Sequence, residues 1–278
     1  MNFIEATRRP VDRSMLYSGV PEMAATVPSP TTVVDASTGQ AALVTVPFPT
    51  DLATYRRAAR AYPIMANGTR RGGGVANASR TFGYLARSGI FRRSCCMACS
   101  GALTSPEPHE VICSAAGDLA AHLAELQPGR AAADLELVSS HVHPDWLMAP
   151  TAPWSSGVLN RTSPLPYHRD RNNFPAWSAM VVLRRGVRGG HLHVPEYDIV
   201  VECRDGDVVY FAGSDLMHGV TPMTKTTPDS YRLTAVYYPV ASMATCLPFA
   251  EEVARGQRNR SDSEDGLIER QRREGTLT

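Results

Sequence analysis

No stretch of the 278-residue sequence approaches the ~18–20 consecutive apolar residues of a membrane-spanning helix, so no membrane partner is expected. The N-terminus, MNFIEATRRPVDR, has no apolar core and carries an early glutamate, which argues against a secretory leader. Cysteine is sparse. Six residues (95, 96, 99, 113, 203 and 246) in a chain of this length do not read as a disulfide scaffold, and a reducing compartment, the cytoplasm, is the expected location. Acid is missing from one whole segment: between Leu52 and Pro106 there is no Asp or Glu, while nine arginines (56, 57, 60, 70, 71, 80, 87, 92 and 93) stand there. In a chain with a net charge of only +1, that segment is a candidate surface for a polyanion. The competing reading is a solvated face, or arginines paired with acids from elsewhere in the fold. No internal repeat is present.

Hydrophobic residues make up 43% of the sequence, enough for a sizeable core in one large domain. Residues 1–45, rich in Pro, Ser, Thr and Ala with short apolar stretches such as Ala41–Val44, read as an irregular arm with room for one strand. Thr50 followed by DLATYRRAARAY reads as a capped helix ending before Pro63. Residues 115–127 place Leu119, His122, Leu123 and Leu126 on one helix face, which Pro128-Gly129 ends. After about residue 150 the texture changes to short β-rich runs: WSAMVVLRR, HLHV, DIVVEC, DVVYFA and RLTAVYYPV, separated by turns such as RGVRGG and RDGD. Strands at this spacing suggest a sandwich or barrel, a jelly roll being one solution. The charged tail 251–278 reads as a loose helix or a disordered segment. The expected organisation is therefore an arm (1–45), one domain (46–250) made of a helical basic lobe (46–150) and a β core (151–250), and the tail.

Among the strands lie His168-Arg169-Asp170 and then His218. His168 and Asp170, two residues apart, share one face of an extended segment, and a neighbouring strand can bring His218 opposite them. Two imidazoles and one carboxylate on one face of a metal leave three positions open, the facial arrangement of non-haem Fe(II) oxygenases. A His-x-Asp alone is weak evidence, and His143-Pro144-Asp145 is a second one. Only His168 opens a run of strands that continues to His218-Gly219-Val220 and Arg232-Leu233-Thr234. His191 and His193 alternate with apolar residues and are expected on the polar face of a strand. The apolar setting of Arg232 implies a buried, paired guanidinium suited to the distal carboxylate of 2-oxoglutarate, with Thr234 on the same side as a second donor. Cys95, Cys96 and Cys99 could ligate zinc only if Cys113 or His109 completed the set.

Four pieces, YHRDRNN (167–173), GGHLHVPEY (189–197), GDVVYFAGSDLMHGVTP (206–222) and YRLTAVYY (231–238), resemble the TET/JBP family of nucleic-acid-modifying oxygenases, especially its short bacteriophage forms. They cover about a quarter of the chain, and NASRTFGY (77–84) extends the likeness weakly. The iron and 2-oxoglutarate motifs belong to the whole superfamily; the GG-x-L-x-x-PEY turn and HRD-x-x-N are narrower. The resemblance implies an α+β fold: a double-stranded β-helix (jelly-roll) core, helices packed on one side, and an N-terminal extension. It implies Fe(II) held by His168, Asp170 and His218, 2-oxoglutarate held by Arg232, Thr234 and Arg169, and O2 as the second cosubstrate. Asn173, with Asn172 beside it, would contact a target pyrimidine, and Arg70, Arg71 and Arg80 would hold DNA phosphates. Phe82 or Tyr84 would stack or wedge, against a competing reading of ordinary packing. Oxidation of 5-methylcytosine to 5-hydroxymethylcytosine by a monomer in the host cytoplasm is the implied activity. Thymine in DNA, a small metabolite or a protein side chain are the alternative substrates, and a non-catalytic jelly-roll binding protein is the alternative of another class. The family's cysteine-rich zinc-binding region is absent, so the acid-free arginine segment stands in for it as the means of gripping DNA.

Overall fold

The computed structural model describes residues 1–66 and 78–273. Arg70 and Arg71 lie outside the described residues. From the N-terminus come β1 (Asn2–Ala6), β2 (Thr31–Asp35), β3 (Ala41–Pro47), α1 (Leu52–Ala61), β4 (Met65–Ala66), β5 (Ala78–Leu85) and β6 (Met97–Ala98). Helices α2 (Gly101–Thr104), α3 (Pro106–Leu126) and α4 (Pro128–Ser139) follow. The rest is mostly strand: β7 (Ser156–Arg161), β8 (Ser178–Arg185), β9 (Val187–Gly189), β10 (Leu192–Val194), β11 (Ile199–Val201), β12 (Asp207–Phe211), β13 (Gly219–Val220), β14 (Met223–Lys225) and β15 (Tyr231–Tyr238), closed by α5 (Phe249–Arg273).

A large sheet runs β1-β2-β3-β12-β8-β15-β7-β5-β4, with β6 on β5, and a small sheet runs β11-β10-β13. Alternation along the central strands sends side chains to two different cores. Val181, Leu183, Val208, Leu233, Ala235 and Tyr237 meet α1 and α3 on one face. Met180, Val182, Val209 and Phe211 meet Leu192, Val194, Ile199 and Val201 of the small sheet on the other. The result is a double-stranded β-helix with its helices on one side. Buried tyrosines lock helices to sheet by their hydroxyls: Tyr237 donates to the Ile112 carbonyl (2.7 Å), and Tyr210 to that of Leu119 (3.0 Å).

Several expectations needed revision. Residues 1–45 supply β1, β2 and most of β3, because β3 finds its partner in β12, Val46 opposite Val208. The first helix is capped by Asp51, whose carboxylate accepts the Ala53 and Thr54 N–H groups, and not by Thr50. Helix α3, read from sequence over residues 115–127, begins at Pro106, a residue suited to the first turn. Of the two readings of the tail the helical one holds: Phe249 to Arg273 is a helix, anchored by a fully buried Glu252. Cys96 and Cys246, buried and with Cα atoms 5.8 Å apart, form a disulfide across 150 positions, a spacing that no local pattern announces. No helix among the described residues is long and apolar enough to cross a membrane.

Candidate metal centre

His168 and His218 sit directly opposite each other on two short extended segments. The His168 N–H donates to the His218 carbonyl and the His218 N–H to that of His168, both at 2.9 Å. Each imidazole is then turned by its own backbone: His168 Nδ1 lies 2.8 Å from the Pro166 carbonyl and His218 Nδ1 lies 2.9 Å from that of Leu216. A donated Nδ1–H leaves Nε2 as the lone-pair face, so the tautomer suits a metal ligand. Both Nε2 atoms turn toward one carboxylate, His168 at 3.8 Å from Asp170 Oδ1 and His218 at 4.0 Å from Oδ2. The three ligating atoms lie within 4.8 Å of one another, and theirs is the one such grouping of three or more among the described residues.

The Asp170 N–H donates to Gly213 (2.9 Å), which seats the carboxylate against the turn before His218. A Cβ on Gly213 would stand 2.7 Å from Asp170 Oδ2 and 3.6 Å from His218 Cε1. Gly213→Ala is therefore expected to push the carboxylate out of line and weaken metal affinity on the order of 10–100-fold with the fold intact. An anaerobic Fe(II) titration reads this, and unchanged affinity would contradict it.

Burial, aided by the nearby His168 charge, pushes His218 down to about 3, so its imidazole is neutral wherever the fold persists. Burial likewise raises Asp170, with His168 pulling the other way. His109, His122, His191 and His193 are also lowered by burial. A histidine depressed in the folded state binds its proton first in the unfolded chain, so stability falls as pH drops below ~6.5 toward the folded values. Asp134, Asp170 and Asp207, raised by burial, oppose this only at the acid end. The thermal midpoint of metal-free protein is expected to fall between about pH 7 and about pH 5, and a flat profile would contradict the assignment.

Arg232 and Thr234 lie out of phase with Leu233, Ala235 and Tyr237, so they face the barrel interior. The Arg232 side chain is 2% exposed and makes no salt bridge among the described residues; its Nε and Nη2 have no hydrogen-bond partner among them, and its polar side-chain neighbour is the buried Cys203 thiol rather than an acid. The pairing inferred from sequence is thus not met by the protein itself. A buried guanidinium without an anion is costly, which makes this a site for a ligand carboxylate. Gly190, at φ +71°, provides the room: a Cβ there would stand 2.9 Å from Arg232 Cδ. Asn160, which sequence reasoning missed, lies opposite Thr234 in the β7–β15 pairing and, out of phase with Leu159, faces the same interior. The period-two pattern of VLN could have flagged it.

The remaining candidates separate. Asn173 is half-buried beside the ligands, its N–H on the Asp170 carbonyl (2.9 Å), and Asn172 is exposed next to it. Arg169 alternates to the opposite side, where it pairs at 2.7 Å with buried Glu196, so it braces the turn before His218 and does not join Arg232. Phe82 is fully buried in the helix-side core against Tyr237, and Tyr84 packs on Trp146; neither is placed to stack on a base. Arg80 donates to Ser100 and Thr104 hydroxyls. Arg56 pairs with Asp205 and Arg87 with Glu252, so part of the basic segment is internally neutralised. Cys96 is in the disulfide, His109 accepts the Gly83 N–H (3.1 Å), and the cysteine cluster brings no three ligands together among the described residues.

A basic groove appears elsewhere. Arg8, Arg9 and Arg13 of the N-terminal arm and Arg169 and Arg171 of the ligand loop line a concavity of about 710 Å³. Arg8 pairs with Asp215 and Arg169 with Glu196, while Arg9, Arg13 and Arg171 are exposed and have no acidic partner among the described residues.

Topology and centre together define a class: a double-stranded β-helix carrying two histidines, one carboxylate and an interior arginine, the donor set that fits Fe(II) and 2-oxoglutarate. Comparison with solved structures agrees on the fold. The chain is similar to NgTET1 in complex with DNA containing 5-methylcytosine, with a TM-score of 0.56 and 14% identity over 78% of each chain. It also matches OsALKBH1 (TM-score 0.41, 14% identity, 71% of this chain and 96% of that one) and a 2OG-Fe(II) oxygenase family protein from Burkholderia pseudomallei (TM-score 0.39, 15% identity, 71% and 84%). No family model and no curated protein sequence matches.

Proposed function

We propose that the protein is an Fe(II)- and 2-oxoglutarate-dependent dioxygenase that hydroxylates the C5 methyl group of a pyrimidine in DNA, 5-methylcytosine first. The observation that carries the reaction class is the joint presence of three convergent ligands and a buried guanidinium without an anion on one barrel. Iron bound there supplies activation of O2, coupled to oxidative decarboxylation of 2-oxoglutarate, strong enough to oxidise a methyl group. The chain supplies the rest. His168 and His218 would present their Nε2 atoms to the iron, and Asp170 would add one negative charge. Arg232, whose Nε and Nη2 face the interior unsatisfied, would hold the distal carboxylate of 2-oxoglutarate, with Thr234 beside it. Asn173, next to the ligands, offers an amide to the base.

Three observations support DNA. The fold neighbour NgTET1 was solved with 5-methylcytosine DNA. Arg9, Arg13 and Arg171 form an unneutralised basic surface beside the ligand loop. The acid-free segment adds more arginine. A methyl inside a duplex cannot reach a buried centre, so the base must leave the stack. An amide serves the C4 substituent of either cytosine or thymine, which keeps thymine as the second base.

The test uses iron-loaded protein, 2-oxoglutarate, air and DNA containing 5-methylcytosine, with digested nucleosides read by mass spectrometry. A nucleoside one oxygen heavier, absent with His168→Ala, is expected. Product from thymine alone would change the base. Succinate without any base product would move the substrate outside DNA.

A further inference from the structure

Two of the most exposed large apolar residues in the protein are neighbours: Ile90 is 90% and Phe91 70% exposed. They occupy the tip of a tight hairpin that extends from β5. Ser88 and Arg93 exchange backbone hydrogen bonds at 3.0 and 2.9 Å, and Arg92, at φ +51°, donates its N–H to the Gly89 carbonyl (3.2 Å). Isolated exposed apolar residues need no explanation, but an adjacent pair at a projecting tip does.

The hairpin is stiff at its foot. Arg93 Nε donates to the Ala86 carbonyl (3.0 Å), and the Arg93 guanidinium lies 5.3 Å from the Phe91 ring centroid. Buried Glu252 pairs with Arg87 and accepts the Cys96 and Leu247 N–H groups at 2.8 and 2.9 Å. Cys96 is covalently tied to Cys246. The same foot reaches the candidate centre. Ala86 and Cys96 share a core cluster with Phe174 and Val240; Val240 pairs with Asn173, and the Ala241 N–H donates to the Asn172 carbonyl (2.9 Å). The tip and the asparagines beside the ligands thus stand on one connected base.

We propose that Ile90 and Phe91 are a wedge that enters the base stack of a DNA duplex and fills the space left by the extruded pyrimidine, an inference that rests on the DNA reading above. The chemistry matches on both sides. Apolar and aromatic side chains insert between base steps, and bases stack on aromatic rings whatever their sequence. Arg92 is exposed at the tip, with Arg93 below it, in a segment free of acid, so the flanks suit the phosphates that such an insertion meets. The role that sequence reasoning gave to Phe82 or Tyr84 passes to residues in the turn beyond the end of that strand.

Because both side chains lie in solvent, Ile90→Ala/Phe91→Ala should keep the thermal midpoint of the full chain. With the iron-loaded protein, the double variant is expected to lose about ten-fold or more of its rate on duplex 5-methylcytosine DNA while single-stranded DNA changes less than about two-fold. Phe91→Trp should retain the duplex rate. A 2-aminopurine placed beside the target should brighten on binding the parent protein and stay dark with the double variant. Equal losses on both DNA forms, or no loss on duplex, would overturn the wedge and leave the DNA reading standing. Wild-type protein that oxidises neither form would remove both. A second copy of the chain is the other possible occupant of the tip. A wild-type dimer that dissociates on substitution, seen by sedimentation, would assign the tip to self-association and overturn the wedge.

Discussion

Arg232→Met will weaken the hold on 2-oxoglutarate by about 100-fold or more, the expected cost of losing two charge-assisted hydrogen bonds in a buried site. The fold should not suffer. The guanidinium is buried with Nε and Nη2 unpartnered, and burial presses its pKa below the ordinary value. Methionine has similar length, needs no anion and relieves an uncompensated charge, so the ligand-free variant should melt no lower than the parent. With a saturating redox-inert divalent metal present throughout, adding 2-oxoglutarate at a concentration that just saturates the parent should raise the parent's melting midpoint and leave that of the variant nearly unmoved. A variant still stabilised by 2-oxoglutarate would show that another residue holds the carboxylate. A variant that melts much lower would mean that Arg232 is paired within the protein.

The second large effect is at Asp170. Its carboxylate faces both Nε2 atoms at 3.8 and 4.0 Å and is the one acid of the cluster. Asp170→Ala should leave Fe(II) bound substoichiometrically and bring succinate formation to background, because two neutral imidazoles alone hold a hard divalent ion poorly. The parent geometry leaves little room for rescue. Gly213 abuts the carboxylate, and the His168–His218 backbone pair fixes both rings. Anaerobic metal analysis and succinate assay are the readouts. Retained stoichiometric iron would move the ligand role to a residue outside the cluster.

The centre was legible in the sequence because its logic is local. His168 and Asp170 are two positions apart, and the His218 segment repeats a strand–turn pattern that brings it opposite. Arg232 and Thr234 follow from strand alternation, and their interior position is what makes the guanidinium's missing anion informative. What escaped was set by long-range pairing. The first 45 residues looked irregular because the partner of β3 is β12, some 160 positions away. The disulfide joins positions 150 apart. Arg169 sits within the motif yet alternates to the opposite face, a consequence of the same period that aligns its two neighbours. Phe82 and Phe91 are equivalent in composition; only tertiary burial decides that the first is core and the second exposed. The basic groove was hidden because Arg8, Arg9 and Arg13 meet Arg171 only after the arm crosses the small sheet, with Thr26 donating to the Val200 carbonyl at 2.8 Å.

The most direct measurement of the whole account is a reaction under oxygen-18 gas with iron-loaded protein, 2-oxoglutarate and 5-methylcytosine DNA. The predicted result is one labelled oxygen in succinate and one in the hydroxymethyl group of the base, both lost with Asp170→Ala. Iron-loaded protein that yields neither labelled succinate nor labelled base would contradict it.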